Sequence, residues 1–101
     1  MRGWADTYIE KLKKGETVQF RPRGKSMEGK ISSGQLCTVV PAKPEMLVVG
    51  SIVLCTFRHS QFLHLIKEIK DKEYLIVNNK GWVNGWVKKE SIYGVCTDVR
   101  N

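Results

Sequence analysis

The spacing of apolar residues predicts a short helix at the start of the chain. Apolar side chains recur there at the positions of one helical face, namely Trp4, Tyr8, Ile9 and Leu12. Lysines are frequent towards the end of residues 4–14 and Gly15 follows them, as is typical of a helix C-terminus. Because so short a helix is unstable in isolation, we expect it to pack against the rest of the fold.

After Gly15, runs of β-branched and aromatic residues separated by turn residues predict a series of short strands. The expected strands cover residues 17–21, 35–40, 52–57, 62–69, 73–77, 86–88 and 92–99. Turn residues at 59–61 and 70–72 predict that the strands on either side of each turn pair as hairpins. The predicted fold is therefore mainly β, a compact antiparallel sheet that curls on itself, with one short N-terminal α-helix.

Two segments follow neither a helical nor a strand pattern. Residues 26–34 are rich in serine and glycine, and residues 78–85 are rich in asparagine and glycine. Irregular segments carried by a rigid sheet often hold binding and catalytic residues. We therefore expect a functional site to draw on these two segments.

Length and composition indicate one globular domain. The 101 residues suit a domain over residues 1–101, with the helix in 1–15 and a β domain over 17–99. Hydrophobic residues make up 42% of the chain and charged residues 27%, which excludes an intrinsically disordered chain. Apolar runs are a few residues long, whereas a membrane-spanning helix needs about 20, and no secretion signal opens the chain. We expect a cytoplasmic protein that does not contact membranes.

The formal net charge is +7 at pH 7, from 17 lysines and arginines against 10 aspartates and glutamates. Such a charge favours contact with polyanions such as nucleic acid, and it equally describes a solvated basic surface.

Cysteine usage indicates reduced thiols. Cys37, Cys55 and Cys96 are odd in number and lie far apart in apolar or β-rich segments, so we expect buried thiols that act as small hydrophobic residues. Neither the cysteines nor the two histidines have the spacing of a metal site, and no cofactor is expected.

Ser26 is the first candidate for chemistry. It lies between small and flexible residues just after a predicted strand, so its hydroxyl can project from a turn into a cleft. A serine hydroxyl is a poor nucleophile unless a neighbouring base takes its proton. On the residues alone, Ser26 is equally a turn serine without a chemical role.

The segment around Ser26 resembles the serine motif of the LexA and signal-peptidase superfamily, in which Gly-x-Ser-Met precedes an apolar residue and a Gly-Asp pair. The matching positions are Gly24, Ser26, Met27, Ile31 and Gly34. Four further segments resemble later parts of the family in the same order, namely residues 49–54, 62–66, 77–79 and 91–95. The resemblance covers residues 18–99 and implies a peptidase-like fold that hydrolyses peptide bonds.

His64 stands where the resemblance places the second catalytic residue. LexA and most bacterial signal peptidases have a lysine at that place, whereas the endoplasmic-reticulum and archaeal signal peptidases have a histidine. The resemblance therefore implies a Ser26–His64 pair, in which a neutral imidazole is an effective base near neutral pH. Lys67 and Lys70 are weaker candidates for the base, and His64 is alternatively a hydrogen-bonded sheet histidine.

Backbone N–H groups of the serine turn, at Gly24, Ser26 and Met27, are the predicted donors to an oxyanion. A peptide or protein substrate would lie as an added strand along an exposed sheet edge.

The chain departs from the family pattern in its acids. Gln35 and Ser51 stand where the family has aspartates. The histidine branch also has an aspartate near its late Asn-Asn loop to orient the imidazole, and the candidates here are Asn78 and Asn79. An amide can orient the ring but cannot stabilise an imidazolium by charge, so we expect weakened activity.

Two functions therefore compete. The first is a stand-alone serine peptidase with Ser26 and His64. The second is an inactive peptidase fold that binds a protein, a peptide or nucleic acid through its basic surface, because fold alone does not establish activity. The lost acids favour the second function, and the intact Gly-x-Ser-Met segment with His64 favours the first. Either function is compatible with a homodimer.

Overall fold

The computed structural model describes residues 3–101, so Met1 and Arg2 of the predicted N-terminal segment lie outside the described residues. Within residues 3–101, the α-helix α1 (Asp6–Lys13) is followed by seven strands in one antiparallel sheet. The strands are β1 (Val18–Phe20), β2 (Leu36–Pro41), β3 (Ile52–Phe57), β4 (Ser60–Lys70), β5 (Glu73–Val77), β6 (Val83–Lys88) and β7 (Ile92–Arg100). Their order is β1-β2-β7-β3-β4-β5-β6, so β1 and β6 are the edges. The predicted mainly β fold with a short N-terminal helix is confirmed.

Two strand boundaries differ from the prediction in ways that matter for the site. The β3–β4 turn is tighter than residues 59–61, because Arg58 and His59 adopt φ of 49° and 67°, the left-handed pair of a two-residue hairpin turn. Gln61 therefore belongs to β4 rather than to a turn. At the other end, β6 starts at Val83 within the segment expected to be a loop, since pairing with β5 outweighs the low strand propensity of asparagine and glycine.

The sheet curls until β3 and β6 contact each other, although two strands separate them in the hydrogen-bonded order. Gly85 of β6 lies against the Phe57 ring of β3, and a Cβ at this glycine would overlap that ring. A glycine is therefore required where the two strands approach.

The two faces of the sheet carry separate hydrophobic clusters, as alternating side chains of a strand require. The cluster beneath the helix, here called the α1 core, contains Ala5, Ile9, Leu12, Val18, Phe20, Met27, Ile31, Cys37, Val39, Leu54 and Leu63. The cluster enclosed by the curl, here called the inner core, contains Leu47, Val53, Cys55, Ile66, Ile76, Val87, Ile92 and Val95. The strands β3, β4, β5, β6 and β7 all contribute side chains to the inner core. The curl of the sheet therefore depends on the packing of this core.

The cysteines are free thiols. Burial raises the pKa of Cys55 to about 12, and burial together with the neighbouring Cys96 raises the pKa of Cys37 to about 12. The prediction of buried thiols is confirmed for Cys37 and Cys55, whereas Cys96 is partly exposed.

Helix α1 is attached to the sheet at its face and at its N-terminus. Ile9 and Leu12 are its buried residues. At the N-terminus, where Ala5 offers no side-chain cap, Gln61 of β4 accepts the Ala5 N–H at 2.7 Å and donates to an Asp6 carboxylate oxygen at 2.6 Å. The strand thus supplies a cap that the helix lacks. Among residues 3–101, no helix is long and apolar enough to cross a membrane.

We predict that Gly94→Ala disrupts the packing of helix α1 against the sheet. A Cβ at Gly94 would lie 2.6 Å from a Val39 methyl carbon and 2.9 Å from a Leu12 methyl carbon, both in the α1 core. Overpacking of this kind lowers the free energy of unfolding by about 1–3 kcal/mol, measured by urea denaturation. Thr97→Ala, at an exposed position of the same strand, is the matched control and should change it by less than about 1 kcal/mol. Equal effects of the two variants would contradict the close approach.

Candidate active site

Ser26 lies in a turn between β1 and β2 whose flanking residues are held in the α1 core. Met27 and Ile31 are 5% and 3% exposed. The Glu28 N–H donates to the Lys25 carbonyl at 3.1 Å, and the Ile31 N–H donates to the Met27 carbonyl at 2.8 Å. Ser26 itself is exposed. The turn therefore presents the serine at the surface while the next side chain anchors the backbone below it.

His64 lies in the middle of β4, opposite Val53 of β3. Its ring is on the same sheet face as Phe62, whose ring centroid is 5.0 Å away, and the residue is 7% exposed. Its Nε2 atom lies 3.2 Å from the Ser26 Oγ atom. The structure therefore brings the two residues selected from the sequence within hydrogen-bonding distance, although they are 38 positions apart in the chain.

Asn84 is the second partner of the imidazole, and sequence reasoning missed it. Its Oδ1 atom lies 2.6 Å from His64 Nδ1. Ile76 pairs with Gly85 and Val77 pairs with Val83, so Asn84 is the extra residue of a β-bulge in the edge strand β6. Bulges redirect a side chain out of the regular alternation. The asparagines and glycines of residues 78–85 indicated that an asparagine could lie near the ring. Because the whole segment was predicted to be a loop, the sequence did not show which asparagine would face the ring.

The hydrogen bond that His64 donates to Asn84 decides which ring nitrogen carries the proton. An amide oxygen can only accept, so Nδ1 of His64 carries the proton and donates it. In the neutral ring, Nε2 then has its lone pair free to accept the Ser26 hydroxyl. Burial lowers the pKa of His64 below its ordinary value of 6.5, and the hydrogen bond to Asn84 offsets part of this. The imidazole is therefore a neutral acceptor at pH 7.

Asn78 and Asn79, the residues expected to orient the ring, have their side chains engaged elsewhere. The Asn78 amide oxygen accepts the N–H groups of Lys80 and Trp82, both at 2.9 Å, and so closes its own loop. The Asn79 N–H donates to the Ser26 carbonyl at 2.8 Å, and its side chain donates to the Glu28 carbonyl at 2.7 Å. Asn79 therefore positions the serine turn, and Asn84 takes the orienting place.

Of the three N–H groups predicted to donate to an oxyanion, one forms a hydrogen bond within the turn and two do not. Gly24 has φ of +112° and donates its N–H to Ser33 Oγ at 3.1 Å, so it shapes the turn. Within residues 3–101, the N–H groups of Ser26 and Met27 donate to no protein acceptor. These two groups are available to a negative oxygen beside Ser26.

At the two positions where the resemblance would place aspartates, Ser51 and Gln35 form hydrogen bonds within the fold. Ser51 donates its hydroxyl to the Met46 carbonyl at 2.8 Å, and Gln35 accepts the Ser32 N–H at 2.7 Å. Lys67 and Lys70 are exposed on β4, and neither lines the cleft at Ser26. Within residues 3–101, none of these four residues forms a hydrogen bond with the imidazole.

A cleft of about 590 Å³ opens beside the serine and the histidine. Ser26, Met27 and His64 line one part of it. Aromatic residues from β1, β4, α1 and the turn before α1 line much of the remainder, namely Trp4, Tyr8, Phe20 and Phe62. Ser26 and His64 thus lie at the side of a largely apolar cleft with room for several side chains.

We predict that the buried imidazole makes stability depend on pH. The unfolded chain takes up a proton on His64 near pH 6.5, whereas burial disfavours that proton in the folded state. The free energy of unfolding should therefore fall as the pH is lowered through and below 6.5 and be unaffected by this group above it. Urea titrations between about pH 7 and pH 5 should show a smaller decline for His64→Gln than for the wild type.

His59→Gln is the matched control, because it removes an exposed histidine from the adjacent turn. It should keep the pH dependence of the wild type. If His64→Gln also kept it, the imidazole would not be buried and neutral.

Comparison of the chain with protein-family models, with curated proteins and with solved structures finds no match in any of the three. The site is therefore defined by the geometry of this chain alone. Its resemblance to the LexA and signal-peptidase superfamily remains a prediction from the sequence.

Proposed function

We propose that this chain is a serine peptidase in which Ser26 is the nucleophile, His64 the general base and Asn84 the residue that orients the base. The observation that carries the proposal is the pair of hydrogen bonds on the imidazole, 3.2 Å to Ser26 Oγ and 2.6 Å to Asn84 Oδ1. A nucleophile within reach of a base, which a third group holds in turn, is the general arrangement of nucleophilic catalysis. The resemblance to the LexA and signal-peptidase superfamily supports the same roles for Ser26 and His64.

The reaction would follow the order of other serine hydrolases. Nε2 of His64 takes the Ser26 proton as Oγ attacks the carbonyl carbon of a peptide bond, and the N–H groups of Ser26 and Met27 donate to the resulting oxyanion. The imidazolium then gives its proton to the leaving amine, and the C–N bond breaks to leave an acyl-enzyme. Water, deprotonated by the same imidazole, hydrolyses the ester and restores the serine.

Asn84 limits the rate that this site can reach. During attack the ring becomes positively charged, and an amide oxygen stabilises that charge far less than a carboxylate does. Asparagine does serve as the orienting residue of papain-like proteases, but their nucleophile is a thiolate and is easier to deprotonate. We therefore assign a slow hydrolase. The free thiols are compatible with the reducing cytoplasm that we propose as its location.

We predict that a fluorophosphonate probe labels Ser26. Reaction at the hydroxyl needs the base, so Ser26→Ala should abolish labelling and His64→Gln should slow it by about a thousandfold, as read by mass spectrometry of the labelled peptide. Ser60→Ala, an exposed serine on the strand that carries His64, should keep the wild-type rate. If the wild type and Ser26→Ala were equally unlabelled, the inactive binding module would replace the peptidase.

We predict that Asn84→Asp raises the reactivity of Ser26. A carboxylate at this position would stabilise the imidazolium and raise the pKa of His64. The pH below which protonation of His64 slows labelling should therefore be higher in the variant than in the wild type. Above that pH the rate should increase by at least about tenfold, because the charge that forms in the transition state now has a counter-charge.

Asn78→Asp is the matched control for this experiment. It keeps the side-chain oxygen that accepts the N–H groups of Lys80 and Trp82 and adds the same charge away from the imidazole. Its labelling rate should stay near that of the wild type at every pH. A rate increase in Asn78→Asp without one in Asn84→Asp would transfer the orienting role to Asn78.

A further inference from the structure

The cleft beside Ser26 combines aromatic walls with positive charge. Its charged lining residues are Arg21 and Arg23, in the segment that follows β1, and no aspartate or glutamate is among the lining residues. An apolar cleft with two arginines and no carboxylate is complementary to a ligand that is both apolar and acidic.

Both guanidinium groups are available to a ligand. Arg21 uses one N–H to donate to the Gly34 carbonyl at 2.9 Å, which holds the group in place and leaves its other N–H donors unused. Arg23 makes no hydrogen bond within residues 3–101. Neither arginine forms an ion pair in this part of the chain, where Arg100 instead pairs with Asp98. Arginine binds carboxylates with two parallel hydrogen bonds, so each can take one acidic group.

The aromatic walls are built before a ligand arrives. Phe20 stacks on Tyr8 with centroids 4.5 Å apart and meets the edge of Trp4 at 5.6 Å. The Trp4 indole N–H donates to the Gln61 carbonyl at 3.2 Å, so β4 holds the Trp4 ring in place three residues before His64. Trp4 is nevertheless 51% exposed, which leaves ring surface for contact. A preformed wall of this kind binds a large apolar side chain with little loss of conformational entropy.

We propose that the cleft selects peptides in which a large apolar or aromatic side chain lies within a few residues of one or more aspartates or glutamates. This inference rests on the proposed function, and it names the substrate class of that site. The apolar side chain occupies the space between Trp4, Phe20 and Phe62, and the carboxylates bind Arg21 and Arg23. The peptide backbone then passes Ser26 and His64.

A peptide fits the site better than single-stranded nucleic acid, although aromatic rings and arginines can bind both. Ser26 and His64 line the same cleft as the arginines, and their geometry suits attack on a carbonyl carbon. The cleft is also of limited size, about 590 Å³, whereas nucleic acid needs a groove that follows a longer backbone.

The test measures binding to the Ser26→Ala protein by isothermal titration calorimetry, so it does not depend on turnover. The probes are three octapeptides with acetylated and amidated ends: one with a phenylalanine and two glutamates, one with both glutamates changed to glutamine, and one with the phenylalanine changed to alanine. We expect the first to bind at least about tenfold more tightly than either of the others, and its advantage over the glutamine peptide to shrink at high salt.

Arg21→Gln/Arg23→Gln in the same background should remove the preference for glutamate over glutamine and keep the preference for phenylalanine over alanine. Lys43→Gln removes a positive charge from an exposed site outside the cleft and should leave both preferences unchanged. If the double variant fails to fold, Arg23→Gln alone serves, because its guanidinium makes no hydrogen bond within residues 3–101. It should reduce the glutamate preference about threefold or more.

Equal binding of the glutamate and glutamine peptides would overturn the inference, even if a fluorophosphonate labels Ser26 in the wild type. Tighter binding of a ten-nucleotide oligothymidylate than of the acidic peptide, lost in the double variant, would also overturn it. If the acidic peptide is preferred but the wild type is never labelled, the ligand chemistry of the cleft stands and the peptidase proposal falls.

Discussion

The imidazole of His64 is held by hydrogen bonds at both of its nitrogens, and the site depends on this constraint. A neutral imidazole has one donor and one acceptor, so a partner that can only accept at Nδ1 leaves Nε2 as the acceptor. Asn84 is that partner at 2.6 Å, and Ser26 lies at 3.2 Å on the other side. The residue is only 7% exposed, so its position depends on these protein partners more than on solvent. The ring is thereby limited to one tautomer and one orientation.

Three separate parts of the chain have to meet for this arrangement to exist. Two features hold the serine turn in place. Met27 packs in the α1 core, and Asn79 donates two hydrogen bonds to carbonyl groups of the turn. The histidine is carried by β4, and the asparagine by a bulge in β6. The curl that brings β6 towards β3 also brings Asn84 over the ring, so packing of the inner core and geometry of the site are coupled. Gly85, the residue after Asn84, lies against Phe57 of β3, so the contact between β6 and β3 is adjacent to the residue that bonds the imidazole.

An amide at the place of an orienting carboxylate, as Asn84 provides here, differs from the carboxylate more in energetics than in geometry. The amide keeps the hydrogen bond and the tautomer, but it supplies no charge to balance an imidazolium. With burial lowering the pKa of His64, the site favours the neutral ring throughout the neutral pH range. For the peptidase that we propose, such a site suits a slow reaction at a preorganised serine. In that proposal the binding chemistry of the adjacent cleft contributes more to specificity, since contacts there would hold the peptide during a slow step.

The sequence by itself determined the class of fold and most of its elements. Alternating β-branched and aromatic runs are local signals, which explains why β3 and β5 lie where they were expected, and the helix followed from one apolar face. Ser26 and His64 could also be selected as candidates, because each lies in a segment that resembles part of the LexA and signal-peptidase superfamily. The tertiary structure decided which asparagine meets the ring. Asn78, Asn79 and Asn84 are chemically identical, and their roles differ because a bulge in an edge strand and the curl of the sheet direct one of them inward. The contact between Asn84 and His64 depends on how β4, β5 and β6 curl around the inner core, and a local sequence pattern does not determine that curl.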